Sequence, residues 1–387
     1  MQKKIIALAI AAAISAPAFA DTSNVTVYGV MDVSYDSIRT GTSTLPVATP
    51  AQGITSNRVS SNTSRLGLKG SEDLGDGLSA IWQIESLVSP GAVSSTGTGI
   101  GGRNTFLGLS SAAAGTVVMG RHDTPYKIST RAYDLFGDGI ADNRSIMGGS
   151  PTANSTAAAT ASAAASFDGR QDQVVAYISP KLGGVATLAV GYVNLSPLDN
   201  VATQAKNSAV SVAGMFDIGS GFGAALAYEA HDFGAIGATA ATKEKATKIG
   251  ASYTMDAINV NFAYEKTSDN LGTAGADLYG HNAYYLSGKY NVTASDAIKL
   301  AYTKAGTLNA SGVAATSANT DAKQFTLGYD HTLTKRTYVY ALYTKLTNGS
   351  AAGYTLGAGT SAVGGITTSA GTGASPSAFA FGMRHTF

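Results

Sequence analysis

The chain is 387 residues long, 44% hydrophobic and 13% charged, with a formal net charge of +1 and no cysteine. Such a balanced charge offers no basic face for a nucleic-acid partner. Without cysteine there are no disulfides to hold an exported chain together, so its stability must come from elsewhere.

The opening stretch MQKKIIALAIAAAISAPAFA has the plan of a secretory signal peptide. Lys3 and Lys4 supply the positive start, residues 5–14 an apolar run, and Ala18-Phe19-Ala20 a small-x-small cleavage site. Cleavage is expected before Asp21, giving a signal peptide over 1–20 and a single domain over 21–387. The apolar run is too short to span a bilayer as an anchor. Removing the two lysines brings the formal side-chain charge of the roughly 367-residue mature chain to about −1. Beyond Asp21 no stretch approaches eighteen apolar residues, so no transmembrane helix is expected.

Helical periodicity is nearly absent, and period-two alternation recurs instead. Phe222, Ala224, Leu226 and Tyr228 alternate with Gly223, Ala225, Ala227 and Glu229. The same pattern runs through Ile249 to Tyr253, Ile258 to Tyr264, Ile298 to Tyr302 and Phe325 to Tyr329. Taken in chain order, sixteen runs are predicted, at 25–36, 57–70, 77–88, 102–110, 115–123, 171–179, 184–193, 208–217, 221–231, 243–254, 257–267, 280–290, 296–305, 321–331, 336–346 and 376–387. Each is about ten residues long, the length of a tilted strand crossing a bilayer. Tyr or Phe often closes a run, where an amphipathic ring suits the membrane–water boundary.

The connections alternate between short and long. SEDLGDG, SAAAG, PKLGG, DIGSG, MDA and TLTK are short; 37–56, 89–101, 124–170, 194–207, 232–242, 268–279, 306–320 and 347–375 are long and rich in Gly, Ser, Thr and Ala. That rhythm predicts an all-β fold: a transmembrane, antiparallel, up-and-down β-barrel with periplasmic turns and longer outer loops. The even strand number places both ends on the periplasmic side. A soluble β-sandwich or β-helix would also alternate, but rarely with strands this long and inner faces this polar. The terminal FAFGMRHTF alternates up to its last residue, with Phe379, Phe381, Met383, His385 and Phe387 on one parity. In lipid an open sheet edge leaves unpaired backbone groups, so the last strand is expected to pair with the first.

Five segments together resemble the general porin family of Gram-negative outer membranes, and within it the porins typical of β-proteobacteria. They are VTVYGVMDVSY, SRLGLKGSEDLGDGLSAIWQIE, GRNTFLGLSS with GTVVMGR, YISPKLGG and the terminal FGMRHTF. The resemblance implies a homotrimer of sixteen-stranded barrels among outer-membrane lipids and lipopolysaccharide. It implies a water-filled pore for small hydrophilic solutes and ions, narrowed by an inward-folded third loop over 124–170. It implies no enzymatic chemistry and no cofactor. Phe387 and Phe381 are the candidate assembly signal.

Strand parity and the family pattern then select the lumen residues. Leu66 and Leu68 suit lipid, which turns Arg65, Gly67 and Lys69 inward. Tyr28, Val30 and Asp32 face inward by resemblance, and Gln83 and Glu85 by alternation with Ala80, Trp82 and Ile84. Arg103, Arg170 and Arg121 are placed with them. The segment DTPYKISTRAYDLFGDGIADNRS resembles the family's constriction loop, and Asp134 and Asp138 are expected opposite the arginines, with Asp142 a further candidate. Basic wall and acidic loop would set up a transverse field that orients dipolar solutes. The arginines hint at weak anion preference. The Ala/Ser/Thr-rich stretch 148–166 departs from the family pattern, and its path is open.

Other signals are discounted. GTGIGG at 97–102 has no helix after it to form a phosphate loop. DGIADN at 138–143 lacks calcium-loop spacing and its closing Glu. The five histidines show no catalytic or metal spacing, and no Ser/His or Asp/His set suggests a barrel enzyme. The alternatives left open are a substrate-selective outer-membrane channel and a loop-mediated adhesin or receptor barrel.

Overall fold

The computed structural model describes residues 24–44, 53–90, 99–148, 167–196, 206–235, 241–309, 318–357 and 372–387. The expected signal peptide and nearly all of the stretch 148–166 lie outside the described residues. The strands are β1 (Asn24–Arg39), β2 (Thr55–Ser61), β3 (Arg65–Gly75), β4 (Leu78–Leu87), β5 (Thr105–Ser111), β6 (Gly115–Asp123), β7 (Arg170–Ile178), β8 (Ala186–Asn194) and β9 (Asn207–Gly219). They continue with β10 (Phe222–Phe233), β11 (Thr242–Met255), β12 (Ile258–Asp269), β13 (Asn282–Asn291), β14 (Asp296–Ala305), β15 (Ala322–Thr334), β16 (Thr337–Asn348) and β17 (Ser377–Thr386).

Successive strands pair antiparallel in one sheet, and β1 also pairs with β17, from Val30↔Thr386 to Arg39↔Ser377. The sheet is therefore a closed barrel with no free edge. β2 and β3 are two halves of one span, so the segments make sixteen crossings, as the alternation predicts. The short connections hold too. In DIGSG the sequence Gly219-Ser220-Gly221 turns through three positive φ angles, 87°, 50° and 82°, a path open to glycine and costly to bulkier residues.

The barrel is built inside out. Leu226, Tyr228, Ile249, Phe262, Leu286, Leu300 and Phe325 are exposed on the outer face. Glu229, Lys248, Glu265, Ser287, Thr303 and Gln324, on the opposite parity of the same strands, are buried. One face of each strand meets hydrocarbon, and the other encloses polar groups that lipid could not solvate.

The split between β2 and β3 is a feature that alternation alone does not show. Two residues of β1, between Val30↔Arg65 and Val33↔Ser61, face three on the partner, Asn62, Thr63 and Ser64. Thr63 has φ 58°. Asn62 N–H donates to the Asp32 carbonyl at 2.8 Å, and the Ser64 hydroxyl to the same carbonyl at 2.9 Å. The extra residue is a β-bulge, and it switches the inward parity of the span. Arg65, Gly67 and Lys69 share one face below it, while Arg58 and Ser60 turn toward Asp36 above it.

Candidate pore constriction

The long connection after β6 lies against inward-facing wall side chains. It opens with a short helix, α1 (Pro125–Thr130), capped by the Thr124 side chain accepting from Lys127 N–H, with Pro125 pre-set for the first turn. Tyr126 donates its hydroxyl to Glu265 at 2.6 Å, and its N–H to the Ser211 hydroxyl at 2.8 Å. Farther along, Leu135 N–H donates to the Tyr285 hydroxyl at 3.2 Å, and the Ser287 hydroxyl to the Tyr133 carbonyl at 3.1 Å. Lys299 reaches the Leu135 carbonyl at 3.2 Å and lies 4.9 Å above the Phe136 ring. Gly148 N–H donates to Glu265 at 2.6 Å, Asp168 meets Lys248 at 2.7 Å, and Phe167 stacks on the buried His231 at 4.6 Å. The segment 124–148 is thus fastened across β9, β11, β12, β13 and β14.

Opposite these anchors, the wall carries a chain of ion pairs. Glu85 meets Arg103 at 2.5 Å and Arg65 at 3.7 Å, and accepts the Tyr28 hydroxyl at 3.0 Å. Arg65 continues to Asp138 of the loop at 3.4 Å, and Asp138 to Arg131 at 2.8 Å. Arg65, Arg103, Glu85 and Asp138 thus stand in one chain of contacts. Arg170 belongs to a neighbouring group, meeting Asp123 at 3.1 Å and Asn104 at 2.6 Å, with Lys127 2.8 Å from the same Asp123. Lys69 stands toward the short turn after β3, exposed, with Nζ 5.4 Å from the Tyr28 ring.

Two placements differ from the sequence reading. Arg121 continues the parity of Val117 and Met119, both exposed apolar residues, and pairs with the exposed Asp172 at 2.6 Å. It stands apart from the Glu85 and Asp123 groups because the unbroken parity of β6 turns it outward; the extra residue at the register shift lies on β7, between Gln171 and Val174, and sets Asp172 beside it. Asp134 faces no wall arginine. Its carboxylate is enclosed, accepting Phe136 N–H at 2.9 Å, Asn143 N–H at 3.0 Å and the Tyr285 hydroxyl at 3.0 Å. Asp32 is inward but tied up by the Tyr340 hydroxyl at 2.8 Å, Asn62 at 3.2 Å and Arg384 at 3.4 Å.

The loop's acids are met chiefly by its own arginines. Arg131 lies 3.5, 2.8 and 2.9 Å from Asp134, Asp138 and Asp142, and Arg144 is 2.9 Å from Asp142. Burial alone would push the Asp142 carboxyl up, but Arg131 and Arg144 outweigh it and hold it well below the usual carboxylate range. Burial, with the Asp142 charge beside it, pushes Asp134 up to about 6 against the pull of Arg131. Asp138 is held below its ordinary value by Arg131 and Arg65 despite its burial. These same pairs engage both carboxylates of DGIADN, Asp138 and Asp142.

The sequence reading did not weigh Lys127, Arg131, Arg144 or Arg384 as pore charges. A signal for Arg131 was available, since Asp134 follows it by three residues and Asp138 and Asp142 come at four-residue steps after that. Arg384 lies on the inward parity of the last strand.

A closed barrel of sixteen crossings, apolar outside and charged within, defines a β-barrel channel of an outer membrane. The profile of the Gram-negative porin family matches residues 7–351, and the chain belongs to that family. It is 28% identical to an outer membrane porin protein of Bordetella pertussis, over 88% of this chain and 93% of the relative. It is 28% identical to outer membrane porin protein 32 of Delftia acidovorans, over the full length of both. Among solved structures it superposes on an anion-selective porin from Comamonas acidovorans with a TM-score of 0.72 and 25% identity, covering 95% of this chain and all of the other. The protein is an outer-membrane porin, and its family and fold are those of channels.

Proposed function

We propose that the pore admits small hydrophilic solutes and ions by passive diffusion with a weak preference for anions, and that the barrel works as a homotrimer. The observation that carries the preference is the charge balance on the side of the loop that meets Arg65 and Arg170, away from the Lys248, Asp168 and Glu265 anchor. Arg65, Arg103, Arg170, Lys127, Arg131 and Arg144 face Glu85, Asp123, Asp134, Asp138 and Asp142. The loop's carboxylates are largely neutralised by the loop itself, which leaves one cation in excess. A ring of charge at a narrow point biases which ion enters without binding it tightly enough to stop flow. The anion-selective porin from Comamonas acidovorans, which shares this fold, agrees with this sign. The trimer rests on family membership.

Planar-bilayer recording of the purified, refolded mature chain in a salt gradient tests the reading. Stepwise ohmic currents that close in thirds, with a reversal potential on the anion side, are expected. Clear cation selectivity would overturn the preference. Silence from a folded barrel would overturn open diffusion and favour a substrate-gated channel or a loop-mediated receptor role.

A further inference from the structure

We propose that Arg131 is the positioning residue of the constriction: its single guanidinium gathers Asp134, Asp138 and Asp142 into one knot, and that knot fixes both the loop's shape and the charge it shows to a passing ion. The proposal rests on the diffusion-pore reading and assigns selectivity to a loop arginine, where sequence alone pointed to wall arginines facing loop aspartates.

Arg131 starts a single 3-10 turn directly after α1. The three aspartates that follow do not lie on a regular helix, so their four-residue spacing cannot by itself bring them together. They meet because the chain winds round the guanidinium. Asp138 takes a positive φ of 72°, and a Cβ on Gly137 would press against the Arg131 guanidinium, so the backbone passes closely around that group. The side chains of Asp134 and Asp142 are fully enclosed. Asp142 also accepts Asp138 N–H at 2.8 Å, which locks the wrap.

No other cation can take over this role. Arg144 reaches Asp142 at 2.9 Å but is 3.9 Å from Asp138, and of the three aspartates Arg65 meets only Asp138. Removing Arg131 would leave Asp134 without a cationic partner and bring three like charges together at low solvent exposure, where repulsion is strongest. A planar guanidinium presents donors along several edges, whereas an ammonium is a compact point charge. Lysine would therefore keep the charge and lose the arrangement.

This difference separates a positioning role from a simple pore charge. Reversal potentials and open-channel noise are recorded for wild type, Arg131→Lys and Arg131→Gln. Arg131→Lys is expected to lower the anion-to-cation permeability ratio by about twofold or more and to raise open-channel noise. Arg131→Gln is expected to invert the preference, and adding Asp134→Asn, Asp138→Asn and Asp142→Asn to it is expected to bring anion preference back. If Arg131→Gln does not assemble, Arg131→Lys decides, and recovery of assembly by the three asparagines supports the knot. An Arg131→Lys channel with wild-type ratio and noise would overturn the proposal. Cation preference in wild type would instead overturn the anion preference, and silence the diffusion-pore reading, whereas the shift between wild type and Arg131→Lys tests the knot.

Discussion

Gly29 and Phe387 exchange both of their backbone hydrogen bonds, Gly29 N–H to the Phe387 carbonyl at 3.0 Å and Phe387 N–H to the Gly29 carbonyl at 3.1 Å. The last residue of the chain is thus a paired member of the closing seam. A Cβ on Gly29 would run into the Phe387 ring and the Arg65 carbonyl, so the ring is seated on a position that has to be glycine. Deleting Phe387 removes the pair, and in lipid each unmade backbone bond costs several kcal/mol. Deletion of Phe387 and Gly29→Val should both reduce the yield of heat-resistant assembled barrel severalfold, read on an unheated gel. Thr386→Ala should be near wild type, because the Thr386 side chain makes only a 3.5 Å contact with the Arg336 carbonyl. A normal yield from the deletion would count against closure by the terminal residue.

Replacing Arg65 and Arg103 by Ser removes both cations that meet Glu85, leaving it the Tyr28 hydroxyl. The excess of positive charge disappears and two long side chains leave the narrow region. The reversal potential should move toward cations and single-channel conductance should rise. If neither moves, these residues do not line the constriction.

Lys127 gives the pore a pH dependence. It is buried on α1, and burial pushes its ammonium down to about 8 against the opposing pull of Asp123, 2.8 Å away. As pH rises through 8 the side chain should lose its proton, leaving Asp123 with Arg170 and the Asn104 amide and removing one positive charge from the site. The anion-to-cation ratio should fall with a midpoint near pH 8, and Lys127→Gln should abolish that step. The effect on stability has the opposite sign. The folded value lies below the free value of about 10.4, so folding releases protons between the two and stability rises with pH across that window. A ratio that stays flat from pH 7 to 9.5 would show that Lys127 is not felt by permeating ions.

The segment 149–166 leaves and re-enters the described structure at one place. Gly148 is bonded to Glu265 on β12, and Asp168 to Lys248 on β11, with Lys248 and Glu265 3.6 Å apart. Both ends are fixed by the wall, so the fold of 124–148 is expected to hold whatever joins them. Replacing 149–166 with a short Gly-Ser linker should leave conductance and selectivity at wild-type values. A large rise in conductance would mean that the segment occupies the solute path.

The sequence by itself determined the barrel: its all-β class, sixteen crossings, the short and long connections, and the pairing of the final strand with the first. These are local signals repeated along the chain, because hydrocarbon on one face of every strand forces a period of two. Inward positions such as Arg65 and Glu85 followed from the same period, and Asp32 from the family resemblance of the first strand. Only the tertiary structure decided where that period breaks and which charges meet. The bulge at Asn62–Ser64 brings Arg58 to Asp36, and the register shift near Gly120 leaves Arg121 with Asp172. Asp138 meets Arg65 across seventy-three positions of sequence, and Arg384 meets Asp32 only because the barrel closes. Such pairings depend on how a loop folds across a lumen, and no local alternation records that path.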